Sequence, residues 1–223
     1  MKLSNRLNAI NALITQPYDV IWDCCCDHGL LGMAILKRQI AKKVVFVDIV
    51  PSLMSELNVT LTRFAGSQSS SDWQVMCKDV GGITLEKNAK QLVIIAGVGG
   101  ELLLKLMQQI IANHTQQKLA KISFIICSVH HTYSLREGLN ELDLGLISEQ
   151  IIVENKRFYE ALHLSFESTT KITPTGNTMW DMSNKHHRSY LNKLLLHYTR
   201  MAHQSPQRFE KVINDYKQLL SIE

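Results

Sequence analysis

Apolar residues first recur at Leu3, Leu7, Ile10 and Ile14, the three- and four-residue steps of a helix with one buried stripe. Ser4 is placed to cap it, and Pro17-Tyr18 ends it. The pattern then changes to short continuous apolar runs at 20–22, 44–47, 73–77, 92–96 and 122–127, which predict five strands. Helical spacing lies between them. Residues 30–38 carry Leu31, Ile35 and Leu36 on one side, and 51–64 opens with Pro51 in the first turn and continues through Leu57, Leu61 and Phe64. Two further helices are predicted over 101–111 and 135–142, and the polar stretch 66–71 reads as a loop. Two late apolar runs, 147–154 and 158–166, flank Asn155-Lys156-Arg157 as a hairpin would.

Strands without alternation are covered on both faces, and strands alternating with helices form a parallel sheet. The expectation is therefore an α/β fold: a Rossmann-like sheet of about seven strands that closes with an antiparallel pair. This domain spans residues 1–168. By composition 169–176 (TTKITPTG) is a linker, and 177–223 is a helical hairpin. Tyr190, Leu191, Leu194, Leu195, Tyr198 and Met201 make one stripe of that hairpin. Ser205-Pro206 restarts a helix, and Phe209, Val212, Ile213, Tyr216, Leu219 and Leu220 make the second stripe.

Composition narrows the function classes. The chain has 223 residues, 45% of them hydrophobic and 20% charged, which suits a soluble globular protein and excludes rods and wholesale disorder. No apolar run reaches the ~18 residues of a membrane span. The N-terminal stretch lacks the continuous apolar core of a signal peptide, so a cytoplasmic protein is expected. The net charge of +4 permits an anionic partner without requiring one. The hairpin region holds seven basic and four acidic side chains, so most of that excess sits there. Three of five cysteines are adjacent (Cys24, Cys25, Cys26), a poor disulfide framework. Cys77, Cys127, His130 and His131 lack zinc-ligand spacing, and no metal is expected.

In an open parallel sheet, ligands bind beyond the carboxyl ends of the strands at the switch point. The loops to inspect are 23–32, 48–52, 77–82, 96–101 and 127–133. Asp48 closes its strand where a carboxylate can accept bonds from two ribose hydroxyls. Asp79, one strand further on, can hold the exocyclic amine of a base. This order suits an adenosine-bearing cofactor. A nicotinamide dinucleotide wants GxGxxG beneath its pyrophosphate, whereas the first loop reads DCCCDHGLLG, with acids where a pyrophosphate would be repelled. S-adenosylmethionine carries a cationic sulfonium and ammonium, which Asp23 and Asp27 would attract. Trp22 and Trp73 read as core residues, Lys156 and Arg157 as surface charges.

The motifs DCCCDHGLLG (23–32), VDIV (47–50), KDV (78–80), IAGVGG (95–100), LR (135–136) and RFYEA (157–161) occur in the order of the TrmK family, which the chain resembles over nearly its whole length. Those proteins are bacterial tRNA adenine-22 N1-methyltransferases with a Rossmann-like class I methyltransferase domain and a C-terminal coiled-coil hairpin. The resemblance implies S-adenosylmethionine as cofactor and tRNA as partner. It implies a donor pocket of Asp23, Cys25, Asp27, Gly29, Asp48, Ile49, Asp79, Val80, Ala96 and Gly97. Asp27 and His28 would be catalytic, with Asp27 a plausible acceptor of the N6 proton. Gly99, Gly100, Ser128, His130, Tyr133 and Arg136 would face the RNA, Tyr133 by stacking on a base and the basic hairpin by contacting phosphates. Three departures stand out. Cys25 replaces a glycine, so it either crowds the donor or needs a shifted backbone. Gly32 replaces a proline, and Cys127-Ser128-Val129 stands where the family has a Gln-Pro-Asn turn. Those departures keep open a methyltransferase acting on another RNA or a small molecule, and a non-catalytic RNA-binding protein.

Overall fold

The computed structural model describes residues 2–68, 72–115, 120–176 and 178–221. The strands are β1 (Tyr18–Cys24), β2 (Ala41–Asp48), β3 (Asp72–Cys77), β4 (Gln91–Ala96), β5 (Ile122–Cys127), β6 (Gly145–Glu154) and β7 (Arg157–Ser165). They form one seven-stranded sheet in the order β3-β2-β1-β4-β5-β7-β6. The first five are parallel, and β7 runs antiparallel to both β5 and β6. The sheet is thus the Rossmann-like one expected. Its order reverses between β1 and β4, which places a crevice at the carboxyl tips of those two strands.

Helices α1 (Asn5–Ala12), α2 (Leu30–Arg38), α3 (Pro51–Gln68), α4 (Gly100–Ala112) and α5 (Thr132–Leu139) flank the sheet. Ser4 caps α1 as expected, its Oγ accepting from the Leu7 amide at 3.3 Å. Central strands are apolar on both sides because two separate cores need them. One core holds Val20, Trp22, Val45, Val93, Phe124 and α4; the other holds Ile21, Val44, Phe46, Ile94, Ile125, α1 and α2. Trp22 is in the core, whereas Trp73, on the edge strand, is only half-buried. Helix α3 runs on to Gln68, past the start of the expected polar loop; 69–71 lie outside the described residues.

Beyond β7 the chain forms α6 (Lys185–Ala202) and α7 (Pro206–Gln218), with Pro206 at the first helical position. The hairpin docks on the sheet domain. Leu191, Phe209, Val212 and Tyr216 share a core with Tyr133 of α5. The expected linker also departs from its composition: Ile172 is buried, and the Thr170 carbonyl accepts from the Leu146 amide at 2.8 Å. Residues 169–176 are strapped along the domain and hold the hairpin to it. Among the described residues, no helix is long and apolar enough to cross a membrane.

Candidate active site

Three carboxylates end or follow the first three strands, and each already holds backbone. Asp23, at the tip of β1, is buried, and its Oδ2 accepts from the Gly32 amide at 2.8 Å. That bond turns the loop into the first turn of α2. It depends on the departure at Gly32, because proline would have no N–H to give, and a Cβ on Gly32 would lie 2.2 Å from Phe46. Asp48, at the tip of β2, accepts from the Asp27 amide at 3.1 Å on one oxygen and from the Val50 amide at 3.2 Å on the other. A carboxylate offers about four lone-pair positions, so two remain after these bonds. Asp79 follows β3 and caps a short 3-10 turn, accepting from the Gly81 amide at 2.8 Å on one oxygen.

The crevice at the switch point has a volume of about 330 Å³, lined by 23–28, Ala96 and Gly97, with Arg6 and Leu7 of α1 on one wall. Its loop stands in left-handed backbone at Cys25 (φ 54°), Asp27 (φ 51°) and Gly29 (φ 65°). Glycine adopts that conformation freely, whereas other residues pay about 1–2 kcal/mol. Cys25 therefore stands in a backbone conformation that glycine adopts without strain. Its thiol is half-buried against the core, and the crevice stays open beside it. Burial pushes the Cys25 thiol up to about 11, with Asp48, Asp23 and Asp79 adding to the effect, so it is neutral at physiological pH. Gly29 is buried, and a Cβ there would lie 2.6 Å from Leu57.

Asp27 and His28 stand exposed at the crevice mouth, with His28 Nε2 3.6 Å from Asp27 Oδ1. Ile49, a large apolar side chain, is 66% exposed beside the tips of β2 and β3. Gly97 (φ 87°) faces Arg6, whose Nη2 would lie 4.0 Å from a Cβ placed there. Val80 departs from the expected donor pocket: its side chain is buried in the core behind Asp79, which leaves only its backbone near the site.

The residues expected to face the acceptor are corrected most. Arg136 is fully buried and bonds Glu149 and Glu160, each at 2.7 Å, so it reaches no RNA. Tyr133 is buried in the hairpin core with its hydroxyl donating to Asp215 at 2.6 Å, and offers no free face to a base. Gly99 and Gly100 make room for the turn after β5 rather than for a ligand. A Cβ on Gly99 would lie 2.4 Å from the His130 ring, and one on Gly100 would lie 2.8 Å from the His131 carbonyl. Ser128 is buried, its Oγ without a partner among the described residues. His130 alone of this set is exposed on the site's flank.

Arg6 was not legible as a site residue. It is the single cation in a helix of ordinary amphipathic pattern, and only the packing of α1 against α2 and β6 brings it to the crevice. Its Nε is buried without a hydrogen-bond partner among the described residues, and its guanidinium lies 5.0 Å from the Tyr159 ring centroid.

A family model described as a methyltransferase domain matches residues 3–162. No curated protein matches the sequence. Among solved structures, a candidate tRNA (m1A22) methyltransferase of Streptococcus pneumoniae in complex with S-adenosyl-L-methionine superposes with a TM-score of 0.79 at 16% identity, covering 98% of this chain and 100% of that one. TrmK of M. capricolum, in complex with S-adenosyl-homocysteine, gives 0.75 at 18% identity, covering 99% of each chain. The B. subtilis M1A22 tRNA methyltransferase TrmK gives 0.73 at 18% identity over 99% of this chain and 96% of its own. These likenesses establish a shared fold, hairpin included. With its sheet order, its acid-tipped strands and the matched 3–162 segment, the chain belongs to the methyltransferase-domain family.

Proposed function

We propose that the protein transfers a methyl group from S-adenosylmethionine to N1 of an adenine in tRNA, with adenine 22 the expected target. The observation that carries this reading is the full-length likeness of the fold to TrmK enzymes, including the helical hairpin, around a crevice whose acids suit a cationic donor. A tRNA substrate would place the protein in the cytoplasm.

The residues present fit the donor. Asp48 keeps two acceptor positions for ribose hydroxyls, Asp79 keeps one oxygen for an exocyclic amine, and Ile49 offers an apolar face to adenine. Asp23 and the glycine-like loop at Cys25 and Asp27 would enclose the methionine end. When bound, the donor supplies an electrophilic methyl carbon. Adenine N1 is already a nucleophile, so the protein's task is alignment and exclusion of water. Methylation at N1 acidifies the exocyclic amine. Asp27 and His28, exposed at the mouth, are placed to take that proton to solvent.

The test is direct. Unmodified tRNA incubated with the protein and S-adenosylmethionine, digested and measured by mass spectrometry, is expected to contain N1-methyladenosine, with a reverse-transcription stop at adenine 22. Tritiated methyl appearing elsewhere or nowhere overturns the tRNA adenine assignment.

Asp23 adds a pH dependence. Burial pushes its carboxyl up to about 7; the Gly32 amide opposes this and the Asp48 charge adds to it. The folded value lies above the unfolded one near ~4. The folded chain therefore holds an extra proton between them, and this group's contribution to stability declines as pH rises from about 4 through about 7. A cationic donor favours the ionised carboxylate. Donor affinity should rise between pH 6 and 8 with release of a proton, and Asp23→Asn should flatten that rise. Calorimetry in buffers of different ionisation enthalpy reads both; equal proton release in the variant contradicts it.

A further inference from the structure

A second, larger cavity lies beside the crevice, between the β6–β7 turn and α6. It has a volume of about 870 Å³ and adjoins the crevice at Arg6, which lines both. Its rim carries Lys156, Arg157, Lys193 and His197 as well as Arg6, against a single carboxylate, Glu154. That carboxylate is engaged, accepting from the Arg6 amide at 2.9 Å. Among the described residues, Lys156, Arg157 and Lys193 have no ion pair within 4.0 Å. Instead Lys193 Nζ donates to the Lys156 carbonyl at 3.1 Å and sits 4.7 Å from the Phe158 ring centroid. Three of these cations, Lys156, Arg157 and Lys193, are thus gathered on one rim with no ion-pair partner among the described residues.

The turn itself points the same way. Asn155 (φ 48°) and Lys156 (φ 63°) are both left-handed, the conformation of a two-residue hairpin turn that favours Asn-Gly. Glycine would fold at position 156 without strain. A lysine there breaks a local rule, as residues at functional sites do. Lys156 and Arg157 are both exposed, the surface charges expected.

We propose that this groove is an RNA phosphate track, in which Lys156 and Lys193 hold the phosphodiester backbone of the acceptor strand and lead the target base toward the crevice at Arg6. The track rests on the tRNA reading above and deepens it. The sheet-side rim, and not the hairpin alone, then contacts the RNA. Phosphate contacts release counterions, so their loss weakens binding and flattens its salt dependence.

The experiment compares wild type with Lys156→Gln/Lys193→Gln, using fluorescently labelled tRNA transcript and anisotropy at several salt concentrations, with steady-state methylation alongside. The double variant is expected to bind tRNA roughly tenfold more weakly near physiological salt, with a log–log salt slope shallower by roughly 1.5. The KM for tRNA should rise while kcat and S-adenosylmethionine affinity hold. Lys156→Arg/Lys193→Arg should keep the wild-type slope. Wild-type affinity and slope in the Gln variant overturn the track even if tRNA is methylated. Weakened binding by that variant upholds the track even if wild type methylates nothing, which overturns the methyl-transfer reading instead. Wild type that binds no tRNA overturns both.

Discussion

Arg136→Met is expected to destabilise the protein by about 3–5 kcal/mol, enough to lower its melting temperature by about 10 °C. The side chain is fully buried, with Nη1 at 2.7 Å from Glu149 Oε2 and Nε at 2.7 Å from Glu160 Oε2. Burial alone would lower its pKa, but the two carboxylates outweigh burial and hold it charged. The cluster joins parts that are distant in sequence. Glu149 also accepts from the Thr178 amide at 2.8 Å, Glu160 from the Tyr190 hydroxyl at 2.8 Å, and the Thr173 carbonyl from Arg136 Nη1 at 3.3 Å. It therefore pins β6, β7, the strap and α6 to α5. Methionine would fill similar volume yet leave two carboxylates buried without their cation. The diagnostic comparison is Arg136→Met combined with Glu149→Gln and Glu160→Gln. Neutral amides keep acceptors for Thr178 and Tyr190, so most of the lost stability should return. Thermal denaturation of the single and triple variants decides it: equal melting temperatures would show that uncompensated charge is not the cause.

Asp48→Ala should weaken S-adenosylmethionine binding at least 100-fold while leaving the chain folded. Two losses combine. The Asp27 and Val50 amides lose the carboxylate that holds the loop against the tip of β2, and the donor loses its ribose acceptors. Hydrogen bonds to a charged group contribute about 1.5–3 kcal/mol each, and two lost at the ligand give that factor or more. Stability changes little, because both amides are exposed enough for water to replace the carboxylate. Isothermal titration with wild type and variant reads the affinity, and circular dichroism reads the fold. A variant that binds the donor as wild type does would remove Asp48 from the site.

Much of the sheet was legible because its strands are buried on both faces and therefore stand out as unbroken apolar runs, Val44 to Val47 and Leu92 to Ala96 most plainly. The gathering of acids at one sheet edge was legible for a related reason. Parallel strands deliver their carboxyl tips to one edge, so Asp23, Asp48 and Asp79 could be placed together from order alone. The acceptor side was not. Tyr133 and Arg136 sit on a helix whose burial is set by the hairpin and the strap, and nothing in the local pattern announces a buried arginine. Gly99 and Gly100 look like ligand-approach glycines in sequence, yet they serve the turn at His130 and His131. Arg6 and Lys156 failed to stand out because single cations in a helix and a turn are common, and only packing brings both to the lining of one cavity. The strap shows the limit of composition: TTKITPTG reads as a linker, but the buried Ile172 side chain ties it down.

The central claim is that carboxylates at the early strand tips hold a positively charged methyl donor. Titration of the purified protein with S-adenosylmethionine by calorimetry tests it most directly. One donor per chain is expected, with affinity that increases with pH through about 7 as Asp23 ionises and that collapses in Asp48→Ala. A titration without heat at millimolar donor, or an affinity indifferent to both aspartates, would contradict the account.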